Sequence, residues 1–223
     1  MLSLQVKRTE NLKEQVYRKL KSLLTGGHFE PNVFYSANQF AERLGVSRTP
    51  AREALLQLEA EGFLVAQDNR GFRLKTFSPK EARDFFEMRL LMETYAVGKL
   101  CESLCSADVR MLEECLKRMR AACENSDAKE LIASDEEFHA VLIGRCDNQF
   151  LTSLIRNIRD FIAIFGRRMV ERDTRMSEVV EEHAAILRAL KARNREQAVQ
   201  ALTGHLQKTQ ARLLQSLEGN ANA

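Results

Sequence analysis

The sequence has no tryptophan and only three prolines, and all three (Pro31, Pro50, Pro79) fall before residue 80. From residue 80 to residue 223 the chain therefore meets no proline break and is free to be helical throughout. Its five cysteines (Cys101, Cys105, Cys115, Cys123, Cys146) are an odd set without a C-x-x-C pair, all in one stretch that reads helical. That excludes a disulfide scaffold and predicts reduced thiols. No uncharged apolar run approaches the roughly 18 residues of a membrane span. Lys7, Arg8 and Glu10 stand where a signal segment would be apolar, so a soluble, cytoplasmic protein with no membrane partner is expected. No serine or cysteine sits in a nucleophile motif, and no glycine loop is built to cradle phosphate. What remains is ordinary globular composition, 44% hydrophobic and 29% charged over 223 residues, enough for one large domain or two modest ones.

Charge and breakers divide the chain at one place. Residues 1–77 hold 12 Lys and Arg against 8 Asp and Glu, net +4, whereas residues 78–223 hold 22 against 23, net −1. Ser78 and Pro79 interrupt the pattern just before a charged helix start at Lys80 and Glu81. The expected organisation is a basic head, 1–77, and a near-neutral body, 78–223.

In the head, Leu12, Val16, Leu20, Leu23 and Leu24 recur at helical spacing, and Gly26-Gly27 follows as a stop, which predicts a helix over 11–25. Ser36-Ala37-Asn38-Gln39 has capping-box form and opens a second short helix through Phe40, Ala41 and Leu44 to Gly45. Ser47 can cap a third helix, where Pro50 falls in the first turn and costs no intrahelical bond. Its buried face is Ala51, Ala54, Leu55 and Leu58. Phe63 to Ala66 and Phe72 to Lys75 then read as two strands around the polar tip Gln67 to Gly71.

Helix, helix, turn, helix, hairpin is the order of a winged helix-turn-helix. Arg48 and Arg52, four apart near the start of the third helix, project from one strip on the side away from Leu55 and Leu58. A helix end of that kind enters a major groove, where arginine pairs bidentately with guanine or phosphate and Ser47 and Thr49 add short donors. Asn69, Arg70 and Gly71 at the hairpin tip are placed to lie along a minor groove or the backbone. An isolated arginine pair of this spacing equally fits solvated surface residues paired with Glu53 or Glu59. The turn, the wing and the net +4 together point to double-stranded DNA.

The run Phe40-Ala41-Glu42-Arg43-Leu44-Gly45-Val46-Ser47-Arg48-Thr49-Pro50-Ala51-Arg52-Glu53-Ala54-Leu55, followed by Leu58, Glu61-Gly62 and a wing centred on Gly71, resembles the DNA-binding domain of the GntR superfamily of bacterial transcriptional regulators. The resemblance covers about residues 10 to 75. It implies that Arg48 and Arg52 contact operator DNA and that Gly71 approaches its backbone. One position departs: where that family often opens its second helix with an acidic residue and an arginine that also touches DNA, this chain has Ala37 and Asn38.

In the body, Asp135 and His139 are four apart, so on a helix both face one way, beside Phe138, Val141 and Leu142 that face a core. His183 and His205 are 22 apart, roughly 33 Å on one continuous helix. Asn194-Arg195-Glu196-Gln197, however, has the form of a cap, and Asn194 lies midway between the two histidines. In an antiparallel helical hairpin the two imidazoles then come to the same height. Three imidazoles and a carboxylate inside a bundle suit a divalent transition ion such as Zn, Ni, Mn or Fe. Histidines beside apolar neighbours also fit hydrogen-bonded core residues, with Glu137, Glu181 and Glu182 as surface charges.

Asp135-x-x-x-His139, Glu182-His183 and His205-Leu206 resemble, in order and spacing, the metal motif of the all-helical FCD effector domain of FadR-like GntR regulators, over about residues 80 to 217. Arg89-Leu90-Leu91-Met92-Glu93 is similar to that domain's opening helix, and the resemblance implies that Arg89 faces a ligand cavity, where its fork would suit a small carboxylate effector. A surface ion pair between Arg89 and Glu93 is the alternative. Cys101 and Cys105 can share a helix face and read as small buried hydrophobes. Arg167, Arg168, Arg172 and Arg175 are either solvated helix charge or a set that neutralises an anionic effector.

The fold expected is mostly α, an N-terminal winged helix-turn-helix with a small β hairpin followed by an all-α helical bundle. The function expected is a transcriptional repressor, a homodimer on a near-palindromic operator, whose effector shifts the population between head spacings that fit and misfit it. Two rivals stand beside this reading: a metal-dependent hydrolase with Glu136, Glu137 or Glu182 as base, and a structural protein with core histidines.

Overall fold

The computed structural model describes residues 11–76, 78–146, 148, 150–151, 160–161, 164 and 173–221, and the chain divides into two compact units, Met1–Thr76 and Phe77–Ala223. Among the described residues, no helix is long and apolar enough to cross a membrane.

The first unit runs α1 (Leu12–Thr25), β1 (Phe34–Tyr35), α2 (Ala37–Leu44), α3 (Arg48–Ala60), β2 (Leu64–Gln67) and β3 (Gly71–Leu74). Val16, Leu20 and Leu24 of α1 pack with Ala51, Ala54, Leu55 and Leu58 of α3, all buried. Leu12 departs from the expected stripe, being 48% exposed in the first turn. The capping box of α2 is complete: Gln39 N–H donates to Ser36 Oγ at 3.2 Å and Ser36 N–H donates to Gln39 Oε1 at 2.8 Å. Gly45 ends α2 in the left-handed region, φ 65°, and so sets the sharp turn into α3. Ser47 occupies the N-cap of α3 with extended backbone, but its side chain makes no capping bond, contrary to the sequence expectation.

The sheet has three strands rather than the expected two, in the antiparallel order β1-β3-β2. Strand β1 is only two residues long, too short to show an alternating pattern, and it pairs Tyr35 with Phe72. Its approach depends on Gly71, at φ +99°, where a Cβ would lie 2.5 Å from the Tyr35 carbonyl oxygen. Phe29, Tyr35 and Phe40 form an aromatic cluster, with ring centroids 4.8 to 5.7 Å apart.

The second unit is helical: α4 (Pro79–Ser103), α5 (Ser106–Glu124), α6 (Ala128–Gly144), α7 (Asp173–Lys191) and α8 (Arg195–Ala221). Ser78 and Glu81 form a full capping box, and Pro79 takes the first helical position, where its missing N–H has no intrahelical role. Helix α4 packs on α8 and α6, α5 on α6 and α7, and α7 on α8. Between α7 and α8, Gln197 N–H donates to Asn194 Oδ1 at 3.0 Å, the cap that folds this hairpin back on itself. Arg193, at φ 52°, reaches across the turn and donates to the Cys101, Glu102 and Leu104 carbonyls at the end of α4. The cysteines are free thiols, but they do not share one helix. Helix α4 ends at Ser103 and Cys105 precedes α5, so Cys101, buried, and Cys105, exposed, cannot lie on one helix face.

Candidate functional site

Asp135 and His139 on α6, His183 on α7 and His205 on α8 converge in the core of the second unit, with one ligand atom from each lying within 4.8 Å of all the others. Hairpin geometry brings the His183 and His205 rings to 4.6 Å between centroids. The three histidines are 0 to 3% exposed, and Phe138 closes the His183 ring edge-on at 4.7 Å. Asp135 alone retains a partial opening, 18% for its side chain.

Hydrogen bonding fixes the tautomer of each ring. His183 Nδ1 lies 2.8 Å from the Val179 carbonyl, which can only accept, so Nδ1 carries the proton and Nε2 is bare. His139 Nδ1 donates to Glu93 Oε2 at 2.6 Å, and His205 Nδ1 donates to Glu182 Oε2 at 2.8 Å. Both acceptors are ionised. Burial works against charge on Glu93, but Arg89 and His139 bring its pKa down to about 2; burial opposes Glu182 too, and His205 and Arg175 bring it to about 2. Three bare Nε2 atoms therefore face inward beside a carboxylate. His139 Nε2 and His205 Nε2 are 3.2 Å apart, and His183 Nε2 is 3.1 Å from Asp135 Oδ1. Burial, then His183, depress the His205 pKa to about 3, so its ring is neutral at pH 7.

Lone pair facing lone pair at these distances is repulsive unless a cation lies among them. The donor set, three imidazole nitrogens and one carboxylate oxygen, fits a divalent transition ion. An outer layer of Nδ1–H acceptors is what metal-bound imidazoles require.

That outer layer is what sequence reading missed. Arg89 Nε donates to Glu93 Oε1 at 2.6 Å with both side chains 2% exposed, so the Arg89–Glu93 pair exists but is buried rather than on the surface. Its Nη2 is buried without a partner among the described residues. Arg175, also 2% exposed, grips Glu182 with two bonds of 2.8 and 3.0 Å and donates to Thr209. It is thus buried in an ion pair rather than solvated. Arg167, Arg168 and Arg172 lie outside the described residues. Of the proposed hydrolytic bases, Glu182 is committed to His205 and Arg175, and Glu137 is tied to Arg118.

In the first unit, Arg48, Thr49 and Arg52 are exposed on α3 while Ala51, Ala54, Leu55 and Leu58 of the same helix are buried. Among the described residues, neither arginine has an ion-pair partner, and Glu59 instead accepts from the Ala66 N–H at 3.0 Å. At the wing, Asn69 is exposed at φ 62°, and the Arg70 guanidinium lies 5.7 Å from the Phe34 ring centroid. Ala37 is buried, so only Asn38 of the two departing positions is presented to solvent.

Residues 12–74 match the family of bacterial regulatory proteins, gntR family, and residues 84–208 match the FCD domain. The Nta operon transcriptional regulator of Aminobacter aminovorans is 32% identical over 86% of this chain and 90% of that protein. The gluconate operon transcriptional repressor of Bacillus subtilis is 25% identical over 84% of this chain and 79% of its own length. Among solved structures, Escherichia coli McbR/YncC superposes with a TM-score of 0.80 at 26% identity, covering 93% of this chain and 99% of that one.

Proposed function

We propose a working mechanism for a chain that belongs to the gntR family of bacterial regulatory proteins and carries an FCD domain. As a transcriptional regulator it acts by binding DNA and is not an enzyme. In our reading it is a cytoplasmic repressor and a homodimer, each copy inserting Arg48 and Arg52 into the major groove of one half of a near-palindromic operator. Ser47 and Thr49 donate to phosphates at the start of α3, and Asn69, Arg70 and Gly71 follow the adjacent groove.

The second unit then holds the control site. Asp135, His139, His183 and His205 would hold a divalent ion (Zn, Ni, Mn or Fe), Glu93 and Glu182 orienting two of the imidazoles and Arg89 and Arg175 keeping those carboxylates charged. Such an ion supplies positive charge and open coordination positions for an anionic ligand. The Nη2 of Arg89, buried and without a partner among the described residues, is the second anchor, and a small carboxylate is the ligand it suits. Effector binding there shifts the population between states of differing operator affinity.

The observation that carries this reading is the set of three bare Nε2 atoms turned on Asp135, each with its Nδ1 proton already donated elsewhere. A thermal-shift screen of small mono- and dicarboxylates, with and without chelator, tests it. Stabilisation by a carboxylate that disappears with chelator or in Arg89→Met supports the site; indifference to every acid and to chelator opposes it.

A further inference from the structure

Helix α6 turns Asp135 and His139 toward His183 and His205, and its other side opens on a groove against α5. Ala140 and Gly144, four residues apart, stand on that other side. Neither carries a long side chain, so the space above them stays open, and a Cβ at Gly144 would meet no atom within 4 Å. The groove encloses about 560 Å³, inside the roughly 300 to 1,000 Å³ typical of small-molecule sites. Met111 and Val141 join the two small residues in making its middle apolar. Met111 is 46% exposed there, whereas Leu112 and Cys115 of the same helix are buried.

The two ends of the groove differ in charge. At one, Arg118 donates to Glu130 at 2.8 Å and also to Glu137, so its charge is neutralised within the protein. At the other, Arg145 places Nε 2.6 Å from Oδ1 of the buried Asp108, while its Nη1 and Nη2 donate to no described residue. Those two nitrogens form the edge of a guanidinium that matches a carboxylate with two parallel bonds. Asp108 and Arg118 are ten residues apart on α5, which puts the ends about 15 Å from each other.

We propose that the α5–α6 groove is a second binding site, for an elongated monocarboxylate whose anionic head sits on the Nη1 and Nη2 edge of Arg145 and whose apolar body lies along Met111, Ala140 and Val141. One open cationic edge sets one anionic group, and the neutralised Arg118 sets an uncharged far end. The thioether of Met111, unbranched and polarizable, adapts to the body it covers. This site uses neither the three imidazoles nor Arg89, so it stands apart from the small carboxylate assigned to the control site.

Isothermal titration of the full-length protein with octanoate, with and without chelator, is the test. Wild type is expected to bind about one equivalent per chain, equally well in both conditions. The uncharged 1-octanol binds about tenfold more weakly or worse, and Arg145→Met weakens octanoate to the same extent, because each removes a charge-assisted pair. Gly144→Leu puts a side chain into the open space and abolishes binding. That variant meets no neighbouring atom, so it decides the matter should Arg145→Met fail to fold for want of the Asp108 partner. Absence of saturable binding up to about 1 mM octanoate, binding that survives Gly144→Leu, or octanol bound as well as octanoate overturns the inference. Binding that chelator removes overturns it too, and assigns the acid to the control site instead.

Discussion

His139 and His205 come from helices α6 and α8, yet their Nε2 atoms face each other across 3.2 Å while both Nδ1 protons point outward into carboxylates. Two bare acceptors repel at that distance, and the same conflict recurs between His183 and Asp135. A bound cation would resolve both. Chelation is therefore expected to destabilise the second unit. An ion present at about a thousand times its Kd contributes about 4 kcal/mol, which at about 2 to 4 °C per kcal/mol lowers the melting temperature by about 10 °C. Differential scanning calorimetry with and without chelator checks this, and restoration by a single divalent ion identifies the preferred metal.

The outer carboxylates act through the imidazoles they hold. Glu182→Gln keeps an oxygen acceptor for His205 Nδ1 but loses its charge and its two-bond grip from Arg175. Metal affinity is expected to fall by about 10- to 100-fold while the fold persists, as read by competition against a chromophoric chelator. Glu137→Gln, at a carboxylate tied to Arg118, is the control and leaves affinity unchanged.

On the DNA side, four neutralised phosphates per head give a dimer a slope of about −7 in log K against log salt. Replacing Arg48 or Arg52 by alanine is expected to cost about 1 to 3 kcal/mol of specific binding per site. Removing a phosphate contact such as Thr49 leaves sequence preference intact. Fluorescence anisotropy over a salt series on a selected operator separates the two effects.

How far these features are legible in sequence depends on how local their causes are. The caps at Ser36, Ser78 and Asn194 are settled by side chains three residues away, so the helices they open are readable directly. The midpoint position of Asn194 even foretells that His183 and His205 meet. Strand β1 is invisible because two residues carry no period, and its partner β3 lies nearly forty residues on. Glu93 and Arg175 look like any charged helix residue, since their partners His139 and Glu182 are assigned by packing that one chain's pattern does not encode. The separation of Cys101 from Cys105 turns on a helix break at Leu104 that no glycine or proline announces.

Asp108 offers a pH test away from the Asp135/His139/His183/His205 cluster. It is buried at the start of α5, accepts from the Cys105 N–H at 3.1 Å and meets Arg145 Nε at 2.6 Å. Burial alone would raise its pKa, but the bonds from Cys105 and the Arg145 charge outweigh it and lower the value. A folded pKa below the unfolded one gives stability that is present above the unfolded value, about 3.9, and is lost as pH falls through the folded value. Asp108→Asn is expected to cost about 1 kcal/mol near pH 7, the scale of a lost helix cap. Urea unfolding should show the gap between wild type and variant closing as pH drops below about 4.

The wing depends on the bare backbone at Gly71. Gly71→Ala places a methyl group 2.5 Å from the Tyr35 carbonyl oxygen at a positive φ. The first unit is expected to lose about 1 to 3 kcal/mol, with β1 displaced, as measured by hydrogen exchange at Phe72 and Arg73.

The most direct measurement is elemental analysis of the full-length protein, purified untagged and without a metal-affinity column, beside His183→Ala. About one equivalent of a divalent transition metal per chain in wild type, and little in His183→Ala with its fold retained, is the result predicted from a four-donor site. Wild-type protein that carries no such metal and takes up none of Zn, Ni, Mn or Fe on incubation would contradict it.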